Sequence, residues 1–450
     1  MRNAILLGLI ALAGCAWTPA YRPAAVELPA AFRETVDTAR GGVPARSPAA
    51  PDPRATITDA VAIDTGFWRQ LGDTTLNRLI GEIVRANLDV RAAQARVRGA
   101  RAGRASALLD LTPSATLGGG YSRRRFSSAS FPGASGTFPD QSVWDAGFDA
   151  AWEVDLFGRL RHGVQAQSAF VAAAREDLRD VLVSLTAELA RTYFELRGAQ
   201  EQLAVAQRNA ENQRRTFDLT QQRLDAGRGS AFDTERARAQ LNSTLAFIPA
   251  REAQVAAAQY RIGVLVGRSP TAVAQELAVA SALPALPAQA AIGSPESVIR
   301  NRPDVSAAER RAAALGVLVS AAKAEYLPRL TIGGSAGYTS PESGSLGGPG
   351  TLRYVVGPTI SWPALNLGRV KASVDASRAL AGEAQAQYGQ AVLAAVEEVE
   401  SALARYRTAR ARVERLVEAS AASEGAAELA RLRFQEGVTD FLQVLDAERT

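Results

Sequence analysis

This sequence is written twice, and no other feature limits its fold as strongly. Asn87-Leu88-Asp89-Val90 and Pro113-Ser114-Ala115-Thr116-Leu117-Gly118 recur 215 residues later as Arg302-Pro303-Asp304-Val305 and Pro328-Arg329-Leu330-Thr331-Ile332-Gly333. Trp152, Gly158-Arg159 and Arg223-Leu224-Asp225-Ala226-Gly227 recur 210 residues later as Trp362, Gly368-Arg369 and Arg433-Phe434-Gln435-Glu436-Gly437. The offset changes in a Gly/Ser/Pro-rich stretch between Pro113 and Trp152, so the copies differ by one shorter loop. A period above 200 residues is a duplicated architecture rather than a solenoid unit. It predicts two intertwined halves.

Proline placement then sets helix length. No proline falls between Pro139 and Pro249, nor after Pro363. Residues 160–226 read as one helix, about 100 Å long at 1.5 Å per residue. Its inward positions repeat every 3.5 residues: Leu178, Leu182, Leu185, Leu189, Thr192, Leu196, and onward to Phe217, Thr220 and Leu224. The second copy carries the same seam from Tyr388 and Val392 through Val413 and Leu416 to Phe434. A sustained heptad predicts left-handed packing against neighbouring helices, which a plain coiled-coil spacer would also show.

Four short segments alternate instead. Residues 145–156 set Ala146, Phe148, Ala150, Trp152, Val154 and Leu156 against Asp145, Gly147, Asp149, Glu153 and Asp155. Residues 113–122, 329–338 and 354–362 alternate likewise. Each approaches the length of a tilted membrane-crossing strand, about 10 residues, and apolar-out, polar-in alternation suits an outer-membrane barrel. Pro358 is discordant, because proline in a central strand loses a ladder bond. Segments 123–142 and 339–352 read as the hairpin loops. Two hairpins cannot close a barrel, and lipid tolerates no open sheet edge, so the chain is expected to oligomerise.

The N-terminus predicts an address. Met1-Arg2-Asn3 is followed by an apolar run, Ile5 to Ala13, too short to span a membrane as a helix, and then by Leu12-Ala13-Gly14-Cys15. That pattern is a bacterial lipobox, with Cys15 lipidated; an ordinary signal peptide with an incidental cysteine is the alternative. Cys15 is the single cysteine of the 450 residues, so no disulfide framework exists. Seven prolines between Pro19 and Pro53 make residues 16–60 an extended tether. The net charge of +5 is spread along helices among Glu and Asp, which marks a solvated face rather than a nucleic-acid site. Arg123-Arg124-Arg125 is the one compact basic run, placed to meet either lipopolysaccharide phosphates or water. There is no Walker loop, and His162 is the sole histidine. No residues support an enzyme, a metal centre or a cofactor other than a covalent lipid on Cys15.

Phe67-Trp68, Asp73, Leu76, Asn87 and Asp89, with Arg302-Pro303-Asp304-Val305, the run Trp152 to Arg159, the Gly437 turn and Asp446-Ala447-Glu448-Arg449, resemble the TolC-like outer-membrane factors of tripartite efflux pumps. The resemblance is to the lipoprotein branch that serves resistance–nodulation–division pumps, and it covers nearly the whole mature chain. It implies a mainly α fold with a transmembrane β part: a trimeric 12-stranded β-barrel continued by a long periplasmic α-helical barrel. It also implies a passive outer-membrane duct for drugs or other small toxic compounds, with a protein-secretion duct of the type I class as the alternative. The implied partners are two further copies, a periplasmic adaptor, an inner-membrane pump and outer-membrane lipid. Adaptor contact would fall on Arg223, Gly227, Ser230, Asp233, Arg433, Gly437 and Asp440. A closed tip would fall on Leu442, Asp446 and Arg449, the last two alternatively being a surface i,i+3 pair.

These readings predict a signal peptide at 1–14 and a lipidated tether at 15–60. The first repeat is 61–285: a helix, a β-hairpin at 113–156, a long helix at 160–226 and a return helix at 232–268. The second is 286–450: a helix, a hairpin at 328–363, a long helix at 368–436 and a return helix cut at 450. The first return helix, moved by 210, would extend past Thr450, whether through a fragment or a shortened product.

Overall fold

Asp73 starts the main helical body of the chain. The computed structural model describes residues 29–33, 66–127, 129, 136–284, 294–439 and 441–449. The expected signal peptide, Cys15 and most of the tether lie outside the described residues. After a single turn, α1 (Gly66–Arg69), Asp73 caps α2 (Thr74–Ala86) by accepting the Leu76 N–H at 2.8 Å. Its second oxygen accepts the hydroxyl of Tyr193 at 2.7 Å. Leu76, Leu79, Ile80 and Ile83 recur at helical spacing on one face of α2, and all four are buried.

The two repeats solve the same helix start differently. In the first, Asn87 ends α2 and starts α3 (Leu88–Leu109); its side-chain oxygen accepts the N–H groups of Asp89 and Val90, at 2.7 and 3.1 Å. Its amide nitrogen donates to the Leu265 carbonyl at 2.8 Å, and the residue is buried. In the second, Pro303 is the first residue of α8 (Pro303–Ala324), where the N–H it lacks would have gone unused.

Each of these helices leads into a strand. The sheet runs β1 (Ser114–Arg124), β2 (Gln141–Val154), β3 (Arg329–Ser340) and β4 (Leu352–Ser361), antiparallel and in that order. The register carries the alternation across all four strands. Leu117, Phe148, Ala336 and Tyr354 share one row and face, while Gly118, Gly147, Gly337 and Arg353 share a row on the other. On the polar face, Arg353 reaches diagonally to Asp145 with bonds of 2.9 and 2.7 Å, and the Thr339 hydroxyl joins them at 2.8 Å. The backbones close in tightly at the Gly147–Gly337 pair. A Cβ on Gly147 would lie 2.6 Å from the Ala336 carbonyl oxygen, so glycine is required there.

The duplication reappears in hydrogen bonds. The Trp152 indole donates to the Leu111 carbonyl and the Trp362 indole to the Tyr326 carbonyl, both at 2.9 Å. Register also accounts for Pro358. The Thr339 N–H donates to the Thr351 carbonyl, which makes odd-numbered β3 residues the bonded pairs; Pro358 faces Ile332 in a non-bonded pair. Its nitrogen points away from β3, so no bond inside this chain is lost.

Some boundaries differ from expectation. The basic run is not wholly loop: β1 continues through Arg124 because Arg123 and Arg124 pair with Ser142 and Gln141. At its other end β2 stops at Val154, because the Asp155 carboxylate instead accepts the Leu160 and Arg161 N–H groups, at 3.2 and 2.9 Å. It thereby caps α4 (Arg159–Asp225). Arg159 grips Glu153 by two bonds, at 3.1 and 2.7 Å.

Further helices are α5 (Ala231–Leu265), α6 (Pro270–Glu276), α7 (Pro295–Asn301), α9 (Leu367–Gln435) and α10 (Phe441–Arg449). Every seam position of α4 from Leu178 to Leu224 is buried or half-buried. The matching seam of α9 is not: it is exposed from 409 to 420, with Val413 58% and Leu416 53% accessible. α5 meets α4 at the Arg261–Glu188 ion pair.

Contacts group the chain into two compact units, neither of which is one repeat. One holds Ala95–Asp177 and Pro303–Val392, with the whole sheet. The other holds Leu28–Gln94, Leu178–Arg302 and Leu393–Thr450. Both draw on both repeats, as β2–β3 pairing demands of the first. In the second, Arg197 donates to Tyr193, Gln200 and the Val279 carbonyl, and Gln200 and Gln259 share the Leu277 carbonyl. Residues 29–33 also belong here: Phe32 is buried, and the Arg33 N–H donates to Glu400 at 2.8 Å.

Two outcomes are expected. Asn87→Ala removes a cap and strands the buried Leu265 carbonyl, so denaturant melts should show a loss of about 2–3 kcal/mol. His162 is buried without a partner for Nδ1; burial pushes its pKa below the usual imidazole value, opposed by Asp155 and reinforced by Arg161. The unfolded chain therefore binds the proton more readily. The contribution is full above pH about 6.5 and fades as pH falls toward the depressed folded value. Because this is the only histidine, the melting temperature should drop more between pH 7 and pH 5 in the parent than in His162→Gln.

Candidate functional site

Both long helices end in the same left-handed turn. Gly227 has φ 72° and Gly437 has φ 74°, a region that side chains with a Cβ rarely enter. The Arg228 N–H reaches back to the Arg223 carbonyl at 2.8 Å and the Gly227 N–H to Leu224 at 2.9 Å. In the second copy the Val438 N–H bonds Arg433 at 2.9 Å and the Gly437 N–H bonds Phe434 at 3.1 Å. These are Schellman ends, which satisfy carbonyls that a helix terminus otherwise leaves open.

Beyond the glycine the two turns diverge. Ser230 caps α5 by accepting the Phe232 N–H at 3.2 Å, and Asp233 lies in the first turn, a favourable position for a carboxylate. Asp440, the counterpart of Ser230 in the second copy, lies outside the described residues. The first turn carries an extra glycine. A Cβ on Gly229 would lie 2.7 Å from the Leu224 nitrogen, whereas Thr439 occupies the matching place after Gly437. The two turns also touch: the Arg223 guanidinium lies 4.3 Å from the Phe434 ring centroid. Gly227, Ser230, Arg433 and Gly437 are exposed, while Arg223 and Asp233 are half-buried.

Gly229 and Phe232 stand at the first turn beside the expected contact residues, and Phe434, a seam position of α9, stands at the second. The Gly-x-Gly spacing was a legible signal for Gly229. Phe434 was not legible as Arg223's partner, because the first copy has Leu224 there. Phe232 is 67% exposed beside Arg236, whose guanidinium lies 5.5 Å from its ring, and Val438 is 65% exposed. Each turn therefore presents an exposed apolar side chain.

The residues expected to close a tip lie on α10. Leu442, Asp446 and Arg449 fall at i, i+4 and i+7 and share one helix face. Leu442 and Asp446 are exposed there, while Val444, on another face, is buried. The side chain of Arg449 lies outside the described residues. Among the described residues, no group of His, Cys, Asp and Glu could hold a metal ion, and no helix is long and apolar enough to cross a membrane.

The turn glycines give a ranked expectation. Gly227→Ala and Gly437→Ala should each cost about 1–2 kcal/mol for the left-handed backbone. Gly229→Ala should cost more, because its Cβ meets backbone, and thermal melts of the three variants would establish the order.

The model of the outer membrane efflux protein family matches residues 79–268 and 294–450. Outer membrane protein OprJ of Pseudomonas aeruginosa is 30% identical over 465 residues, covering 100% of this chain and 89% of its own. The probable outer membrane lipoprotein SilC of Salmonella typhimurium is 28% identical over 387 residues, covering 86% of this chain and 82% of its own. The solved structure of the outer-membrane channel OprN superposes with a TM-score of 0.84 at 37% identity, over 97% of this chain and 93% of that one. A duplicated chain whose two hairpins form one sheet and whose two long helices end in matched turns thus belongs to the outer membrane efflux protein family.

Proposed function

We propose that this chain is the outer-membrane exit duct of a tripartite efflux system, passing drugs or other small toxic compounds outward without chemistry of its own. The observation that carries this is the sheet. It has one apolar face, one polar face rich in glycine, and an unpaired edge on each side, at β1 and β4. Leu117, Tyr354, Val356 and Ile360 are among its most exposed side chains. Exposed apolar surface on that scale needs lipid, and the edges need pairing. Three copies would satisfy both by joining four strands each into a 12-stranded barrel, with the glycine-rich face lining the pore.

The paired turns at Arg223–Asp233 and Arg433–Asp440 then form the end that meets a periplasmic adaptor. Their exposed Phe232 and Val438, with Arg236 beside Phe232 and Arg433 exposed at the second turn, suit a partner offering apolar side chains and carboxylates. Energy comes from an inner-membrane pump of the resistance–nodulation–division type. A lipid on Cys15 anchors the N-terminus, and the contact of Phe32 and Arg33 beside Glu400 ties the tether to the helical body. Leu442, Asp446 and Arg449 close the pore at the tip, and adaptor binding shifts the population toward an open state.

Planar-bilayer recording of the purified chain tests this reading. Low conductance should rise several-fold in Asp446→Ala or Leu442→Ala if that face of α10 restricts the pore. Absence of channels in every form would refute the duct.

A further inference from the structure

The basic run that the duct reading leaves unused occupies a defined place on the sheet. Arg123 lies on the same face as Leu117 and Tyr121, because β1 runs without a bulge from Ser114 to Arg124. Tyr121 pairs with Trp144 across the strands, with ring centroids 4.6 Å apart. Arg123 is the next residue outward on that face. Its neighbour there is Asp140, which takes the Arg123 Nε at 3.1 Å on one oxygen and the Arg125 Nε at 2.5 Å on the other. Over six residues, about 20 Å, the face passes from apolar side chains through a tilted aromatic pair to guanidinium groups. A membrane boundary has that order: hydrocarbon, then an aromatic belt, then charged headgroups.

We propose that Arg123 and Arg125, with Arg124 beside them, bind the phosphorylated sugar headgroup of the outer-leaflet glycolipid. The inference rests on the outer-membrane reading, which places the hairpin loops opposite the periplasmic helices. Charge complementarity selects the ligand. Two guanidiniums share the one Asp140 carboxylate, so the pair keeps a net positive charge, and phosphate accepts paired guanidinium hydrogen bonds. Asp140 orients the two arginines without consuming them, since their side chains stay 65% and 61% exposed. An exposed ion pair of this kind is weak enough to share its donors with an incoming phosphate. Arg124 lies with its guanidinium 5.0 Å from the Phe126 ring centroid, which adds a third cation at the strand end.

The test uses the full chain, purified in detergent, titrated with bis-phosphorylated lipid A and followed by native mass spectrometry. Dephosphorylated lipid A, phosphatidylglycerol and inorganic phosphate serve as separate arms. The parent should retain lipid A at least tenfold more tightly than the dephosphorylated form. Arg123→Gln/Arg125→Gln should abolish that preference while leaving heat-modifiable migration on gels unchanged. Equal binding of both glycolipids by the parent, or an unchanged preference in the double variant, overturns the site. So does tighter binding of phosphatidylglycerol or free phosphate, which would point to a generic anion patch. Because channel formation is read separately in bilayers, a conducting protein without the preference loses only this site, and a protein that never inserts loses the duct as well.

Discussion

Everything in this molecule answers to a sheet that cannot stand alone. Four strands give one face to apolar side chains, the other to glycine, serine, threonine and a few charges, and leave two rows of backbone groups unpaired at β1 and β4. In water the apolar face is a liability, and in lipid the open edges are. Both costs vanish only when copies of the chain meet edge to edge with the apolar face outward. The duplication serves the same end. Since β2 of the first repeat pairs with β3 of the second, the two hairpins are built into one sheet.

The helices inherit their starting points from the sheet. Asp155 leaves the β2 ladder to hold the first N–H groups of α4, and Arg159 locks back onto Glu153 one turn later. Strand end and helix start are thus one hydrogen-bonded unit, and the first turn of α4 is fixed there. On the same helix, Tyr193, Arg197 and Gln200 join Asp73 and the Leu277 and Val279 carbonyls into a polar network, with Gln200 as the donor to Leu277. Networks of this kind reward complete satisfaction and punish a missing partner, so they hold backbone segments in one arrangement.

Much of this was legible in the residues. Leu178 through Leu224 announced a seam, and the seam is covered; Ala146 to Val154 announced a two-faced strand, and the register confirms which residues share a face. The features that were not legible depended on partners outside the segment that carries the pattern. Asp155 reads as the next polar residue of a strand until the backbone N–H groups of Leu160 and Arg161 are seen to need it. Arg123 and Arg124 read as loop because the ladder bonds that extend β1 come from a segment roughly 18 residues away. Pro358 reads as a flaw until its partner shows which way its nitrogen points. At the turns, Gly227 and Gly437 could be found by their repeat, whereas Arg223 against Phe434 joins positions that do not correspond under that repeat.

Pro358 has a consequence for recognition between edges. Its nitrogen faces outward from β4, so any strand arriving there finds one donor missing from the row. Two β4 edges laid antiparallel would carry that defect on both sides, while a β1 edge, which has no proline, meets it only once. The residue therefore biases the choice of neighbour against like edges and toward unlike ones. An odd ring of identical chains can close only through head-to-tail contacts, and a single imino acid helps to write that rule into the strand.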